Sequence, residues 1–188
     1  METVNIILCG LGGQGVLFMT KILAEAAMHR GQKVMGAETH GMAQRGGSVV
    51  SHLRLGDVAG SLVRTGTAHF MLALEENEAY RYLPFLAKGG RLYANTDSAS
   101  FPRAEVGQYI GSKEIKTRSI AATKLAMELG APMSSNLALL GYFAAFDDGP
   151  FSVVELRETI ERVSPERFRD SNLRVFDTCF ELGKENST

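Results

Sequence analysis

One short stretch constrains this chain more than any other. The run Val4-Asn5-Ile6-Ile7-Leu8 ends at Cys9 and opens directly into Gly10-Leu11-Gly12-Gly13-Gln14-Gly15. An apolar run of this length suits a buried strand and is too short for a helix. After the glycines, Met19, Ile22, Leu23, Ala26 and Ala27 recur at the spacing of one helix face, and Gly31 stops the helix. Lys33-Val34-Met35-Gly36-Ala37 then reads as a second strand. Together they make a β-α-β unit, for which a parallel, right-handed crossover is the expectation.

Further along, residues 38–48 read as a polar, glycine-rich loop. Residues 49–55 and 59–63 flank Gly56-Asp57 and suggest a hairpin. Ala68-His69-Phe70-Met71-Leu72-Ala73-Leu74 is a buried strand. A helix from Glu76, interrupted near Pro84, should end at Gly89-Gly90. Arg91-Leu92-Tyr93-Ala94-Asn95 is the next strand and enters a loop over residues 96–103. A weaker strand covers 115–120, and a helix over 121–129 is capped by Gly130. Residues 137–146 are apolar on every side, so that helix belongs in the interior. Ser152-Val153-Val154-Glu155 is a capping box. Ser164-Pro165 starts a further helix, and Leu173, Phe176 and Phe180 stripe the last one. With no repeat and no linker, residues 1–188 read as a single α/β domain. Its expected form is a three-layer Rossmann-like arrangement with a mostly parallel (mixed) sheet and a helical C-terminal part.

Composition narrows the function. With 20 basic and 21 acidic residues the net charge is −1, which offers no basic face for nucleic acid. Cys9 and Cys179 stand far apart in apolar surroundings, and no CxxC pair exists, so neither a zinc knuckle nor a cysteine-ligated cluster belongs to this chain. No signal-peptide pattern and no apolar run near 18 residues occur, so the expectation is a cytoplasmic protein with no membrane association. Glycine is the exception: 20 residues, against roughly 13 for average usage.

Two of the glycine clusters carry chemistry. Gly10, Gly12 and Gly15 fit G-x-G-x-x-G after a strand and before a helix, with Gly13 and Gln14 between them. Such a loop brings backbone N–H groups and a helix N-terminus to a phosphate. Glu38 falls where a ribose-binding acid would stand, so a free-standing NAD(P)-binding reductase is one reading. A nucleotide-binding scaffold module is another, and a turn that serves packing alone is a third. The second cluster is Glu38-Thr39-His40-Gly41-Met42-Ala43-Gln44-Arg45-Gly46-Gly47-Ser48. His40, Gln44, Arg45 and Ser48 supply donors for a phosphate or carboxylate, and Gly41, Gly46 and Gly47 allow close backbone approach. The alternative is an Arg45 that satisfies buried carbonyls. No catalytic set and no metal-ligand set accompanies either cluster.

These segments resemble a known family. Gly-Leu-Gly-Gly-Gln-Gly-Val-Leu at 10–17 and His-Gly-Met-Ala-Gln-Arg-Gly-Gly-Ser-Val-Val-Ser-His at 40–52 are similar to the gamma subunit of 2-oxoacid:ferredoxin oxidoreductases, above all its indolepyruvate-type counterpart. Leu72-Ala73-Leu74-Glu75, residues 78–83, Gly89-Gly90, Asn95 and residues 136–141 share the likeness. The resemblance implies a subunit of an enzyme that converts a 2-oxoacid and coenzyme A to acyl-CoA, carbon dioxide and reduced ferredoxin. It implies that this chain holds no cofactor and is inactive alone. Thiamine diphosphate, magnesium and 4Fe-4S clusters are then expected on a large catalytic partner subunit, with ferredoxin as electron acceptor. Gly10, Gly12, Gly13, Gln14 and Gly15 become a phosphate loop. His40, Gly41, Met42, Gln44, Arg45, Gly46, Gly47 and Ser48 become the wall of the partner and coenzyme A cleft.

Overall fold

The computed structural model describes residues 3–41 and 46–186. Six strands, β1 (Val4–Leu11), β2 (Val34–His40), β3 (Ser48–Leu55), β4 (Ala68–Ala73), β5 (Leu86–Asn95) and β6 (Lys116–Ile120), lie in the order β2-β3-β1-β4-β5-β6. β1, β4, β5 and β6 run parallel, whereas β3 is antiparallel to both of its neighbours. β1 is buried on both faces, as a central strand of a covered sheet should be.

The described helices are α1 (Val16–His29), α2 (Glu76–Tyr82), α3 (Ala104–Ser112), α4 (Ala122–Glu128), α5 (Ser135–Ala144), α6 (Val153–Val163) and α7 (Glu166–Glu185). Alternate residues of β1 feed two cores. Ile6 and Leu8 pack with apolar residues of α1, α5, α6 and α7, while Ile7 and Cys9 pack with Ala79, Leu83 and Ile110 on the other face. Helices thus cover both sides of the sheet, giving the three layers anticipated. α5 is buried throughout, and Ser152 closes the capping box with Glu155 ahead of α6. No helix among the described residues is long and apolar enough to cross a membrane.

Several expectations need correction. β2 runs in the direction of β1 but does not pair with it, because β3 lies between them. Residues 59–63 form no strand. Both edges of β3 are occupied, by β1 and β2, so no ladder position remains, and Gly56 at φ +92° turns the chain away. Side chains hold the segment instead: Arg54 donates to the Gly60 carbonyl, and the Val63 N–H donates to His52 Nδ1. α2 ends at Tyr82, a single 3₁₀ turn takes Pro84, and β5 begins at Leu86, four residues before the expected glycine stop is complete. Gly89 (φ +74°) instead sits in an irregularity of the β4–β5 register. α3 went unread because Gly107 and Gly111 blur its periodicity. One helix, α7, accounts for everything from Glu166 to Glu185.

Candidate functional site

From β1 the chain passes through α1 toward the β2 edge, and from β4 through α2 toward the β6 edge. The carboxyl ends of β1 and β4 therefore mark the point where the sheet changes its direction of travel, the place where open α/β sheets bind ligands. The glycine turn stands there. The Leu11 N–H donates to Gln14 Oε1 at 2.7 Å and the Gln14 N–H returns to the Leu11 carbonyl at 3.1 Å, so the turn is tied by its own side chain. Gly13 and Gly15 take the left-handed region, φ +100° and +83°, which Gly12 does not share. A Cβ on Gly10 would lie 2.7 Å from Gln14 Oε1, and one on Gly15 2.5 Å from Asn136 Nδ2. The turn is thus shaped from outside as well: Asn136 Nδ2 donates to the Gly15 carbonyl at 3.1 Å.

Gly15 caps α1 without a side-chain acceptor, so the helix offers its first N–H groups outward, where an anion is favoured. A hollow of about 410 Å³ opens there, bounded by Gly12, Gly13, Gly15, Phe18 and His40. On the other side of the turn, Gln14, Glu75, Asn95, Asp97 and Lys124 line a cleft of about 450 Å³ at the ends of β4 and β5.

The second cluster meets the first directly. The Gly12 N–H donates to the Gly47 carbonyl at 2.8 Å, and the Gly41 N–H closes the β2–β3 connection on the Ser48 carbonyl at 2.7 Å. Ser48 Oγ donates to Glu78 Oε2 at 2.5 Å and lies 3.1 Å from the Tyr82 hydroxyl. His40 is exposed on the edge strand, with Nε2 3.8 Å from Glu38. Met42, Gln44 and Arg45 lie outside the described residues.

Glu38 is not where the dinucleotide pattern wants it. With β3 interposed, it stands two strand spacings, about 10 Å, from β1 rather than one. That removes the ribose-binding acid from the glycine turn. The cysteines are poor nucleophiles. Burial pushes the Cys9 thiol well above its ordinary value, with the nearby charges of Glu78 and Glu75 adding to it, and burial raises Cys179 to about 11. Among the described residues no group of three or more His, Cys, Asp or Glu is placed to hold a metal ion.

Sequence reasoning missed three contributors: Asn136, Glu78 and the cleft beside Gln14. A lone asparagine at the head of an all-apolar helix was the available signal for the first. Glu78 falls in the 78–83 stretch that carries the resemblance, but nothing local ties it to Ser48.

The comparisons with known proteins agree on one family. The profile of the family described as Pyruvate ferredoxin/flavodoxin oxidoreductase matches residues 5–182. Indolepyruvate oxidoreductase subunit IorB of Pyrococcus horikoshii is 35% identical over 198 residues, spanning 98% of each chain. The subunit of the same name from Archaeoglobus fulgidus is 37% identical over 184 residues, covering 91% of this chain and 90% of its own. Among solved structures, the keto/oxoacid ferredoxin oxidoreductase gamma subunit of Geobacter sulfurreducens superposes with a TM-score of 0.75 at 24% identity, covering 96% of this chain and 98% of that one.

Proposed function

Because the chain belongs to the pyruvate ferredoxin/flavodoxin oxidoreductase family and is a subunit of a 2-oxoacid:ferredoxin oxidoreductase, we propose that its glycine turn and 40–48 segment together form its coenzyme A and partner face. The observation that carries this is the junction of the two clusters: the Gly12–Gly47 hydrogen bond sets an uncapped helix N-terminus beside the donor-rich segment. Backbone N–H groups at the start of α1 would meet a phosphate, and the Arg45 guanidinium would grip a phosphate or carboxylate in the bidentate way that lysine cannot copy. The 2-oxoacid is of the indolepyruvate type, as the names of the full-length relatives suggest. Residues 1–188 act as one gamma-type domain in a cytoplasmic enzyme.

The residues present do not suit the redox groups themselves. A 4Fe-4S cluster takes four thiolates, whereas Cys9 and Cys179 are buried in separate cores on opposite faces of the sheet. Thiamine diphosphate, magnesium and the clusters therefore sit, in this proposal, on the large catalytic subunit, which also delivers electrons to ferredoxin. Our chain contributes binding and orientation.

The test compares the purified chain with the reconstituted complex. Alone, the chain should reduce no viologen dye from an aryl-pyruvate and coenzyme A, whereas the complex should. In the complex, Arg45→Lys should lower kcat/KM for coenzyme A about tenfold, roughly 1.4 kcal/mol, and leave the melting temperature of the free chain unchanged. A drop in melting temperature with unaltered activity per folded complex would make Arg45 scaffold and remove the site assignment.

A further inference from the structure

We propose that Glu78 is a positioning residue, which holds the returning limb of the 40–48 segment in place through Ser48; the inference rests on that segment being the ligand-facing part. Among the described residues the buried polar side chains include a single carboxylate, Glu78, with 3% of its surface exposed. Burying a carboxylate costs free energy unless its oxygens are hydrogen-bonded. Both are: Oε2 accepts from Ser48 Oγ, and Oε1 accepts from Arg81 Nε at 3.1 Å. The Tyr82 hydroxyl approaches the same Ser48 oxygen from the next turn of α2.

A fastener between helix and sheet would not need this charge. α2 is already seated on the sheet by Ala79, and Leu83 just beyond it joins the same apolar core. Apolar contact holds a helix down but does not fix one hydroxyl in one direction, which is what a charge-assisted hydrogen bond does. The hydroxyl so fixed is well chosen. Ser48 is the first residue of β3, its carbonyl accepts from Gly41, and the carbonyl of the preceding Gly47 accepts from Gly12. Three elements are thereby referred to one point: α2 from beneath, the β2–β3 connection from its own far limb, and the glycine turn from the side. Arg81, mostly exposed, supplies the counter-charge at the surface and leaves the second oxygen to Ser48.

The experiment uses the assembled complex, with amide hydrogen exchange and steady-state kinetics measured on the same preparations. Ser48→Ala should speed exchange in peptides covering residues 46–50 about tenfold, with β1 and α5 unchanged, and raise KM for coenzyme A about tenfold with kcat within twofold. Glu78→Gln, which keeps an acceptor but not the charge, should fall between that variant and the parent. Ser48→Thr should restore both readouts. Unchanged exchange over 46–50 in Ser48→Ala overturns the inference, as does exchange that rises evenly along the chain with a lowered melting temperature. If Glu78→Gln fails to fold, Ser48→Ala against Ser48→Thr decides alone. Faster local exchange with KM unchanged in both Ser48→Ala and Arg45→Lys upholds the positioning and overturns the coenzyme A reading instead.

Discussion

Residues 12–15 and residues 46–48 touch each other, yet a methyl group would be received quite differently at the two. At Gly15 a Cβ meets Asn136 Nδ2 at 2.5 Å in addition to the strain of φ +83°. At Gly46 the strain remains, φ +74°, but among the described residues no atom beyond its chain neighbours stands within 4 Å of the position a Cβ would take. The first glycine is required by its surroundings as well as by its own backbone, the second by its backbone alone. One segment is an extension of the core; the other is a surface connection anchored at its base. The difference teaches that glycine density says nothing by itself about rigidity, which depends on what presses against the turn.

Substitution at the two positions turns that contrast into numbers. Gly15→Ala should cost the most, about 3 kcal/mol, from the left-handed backbone plus the displaced amide of Asn136. Urea denaturation of the free chain measures it, and a loss below about 1 kcal/mol would mean that Asn136 yields and the turn is no stiffer than its neighbour. Gly46→Ala should cost about 1 kcal/mol, the backbone contribution alone. A loss equal to that of Gly15→Ala would erase the distinction between the two segments.

The smallest effect concerns pH and samples the sheet beneath the second segment. His52 of β3 is buried, accepts the Val63 N–H at Nδ1 and meets Phe85 edge-on, and burial lowers its pKa below 6.5. Because the folded value lies below the unfolded one, the stability the neutral ring contributes is complete above pH 6.5. It is lost as pH falls from there toward the folded value. The urea midpoint should therefore decline between pH 7 and pH 5, and His52→Gln should flatten that decline. An unaltered slope would place the pH dependence elsewhere.

Much of the parallel half of the sheet was legible. β1, the core of β4 and the end of β5 announce themselves as short apolar runs, β6 is a weaker, mostly polar strand, and the caps at Gly31, Gly130 and Ser152 are local chemistry that the chain states outright. In the antiparallel half both strands could be read but not their order. Nothing in the periodicity of residues 33–55 says that β3 returns between β1 and β2, because strand order is decided by which edges are free when strands meet. The same holds at the site. Gly10, Gly13 and Gly15 could be read as a turn, and the 40–48 segment could be singled out by composition. Their hydrogen bond through Gly12 and Gly47 could not, nor could the clamp of Ser48 by Glu78, 30 residues away. Each depends on a pairing between segments rather than on a pattern within one.

The bond from Asn136 to Gly15 spans 121 residues, and that separation bears on how the protein is made. A contact so distant in sequence is slow to form, since the chain must first close the whole intervening loop. The glycine turn is then among the last segments to reach its final shape, waiting for residue 136 to be synthesised and for α5 to dock. Nascent chains cut short before α5 would carry the full glycine motif and lack the amide that secures it.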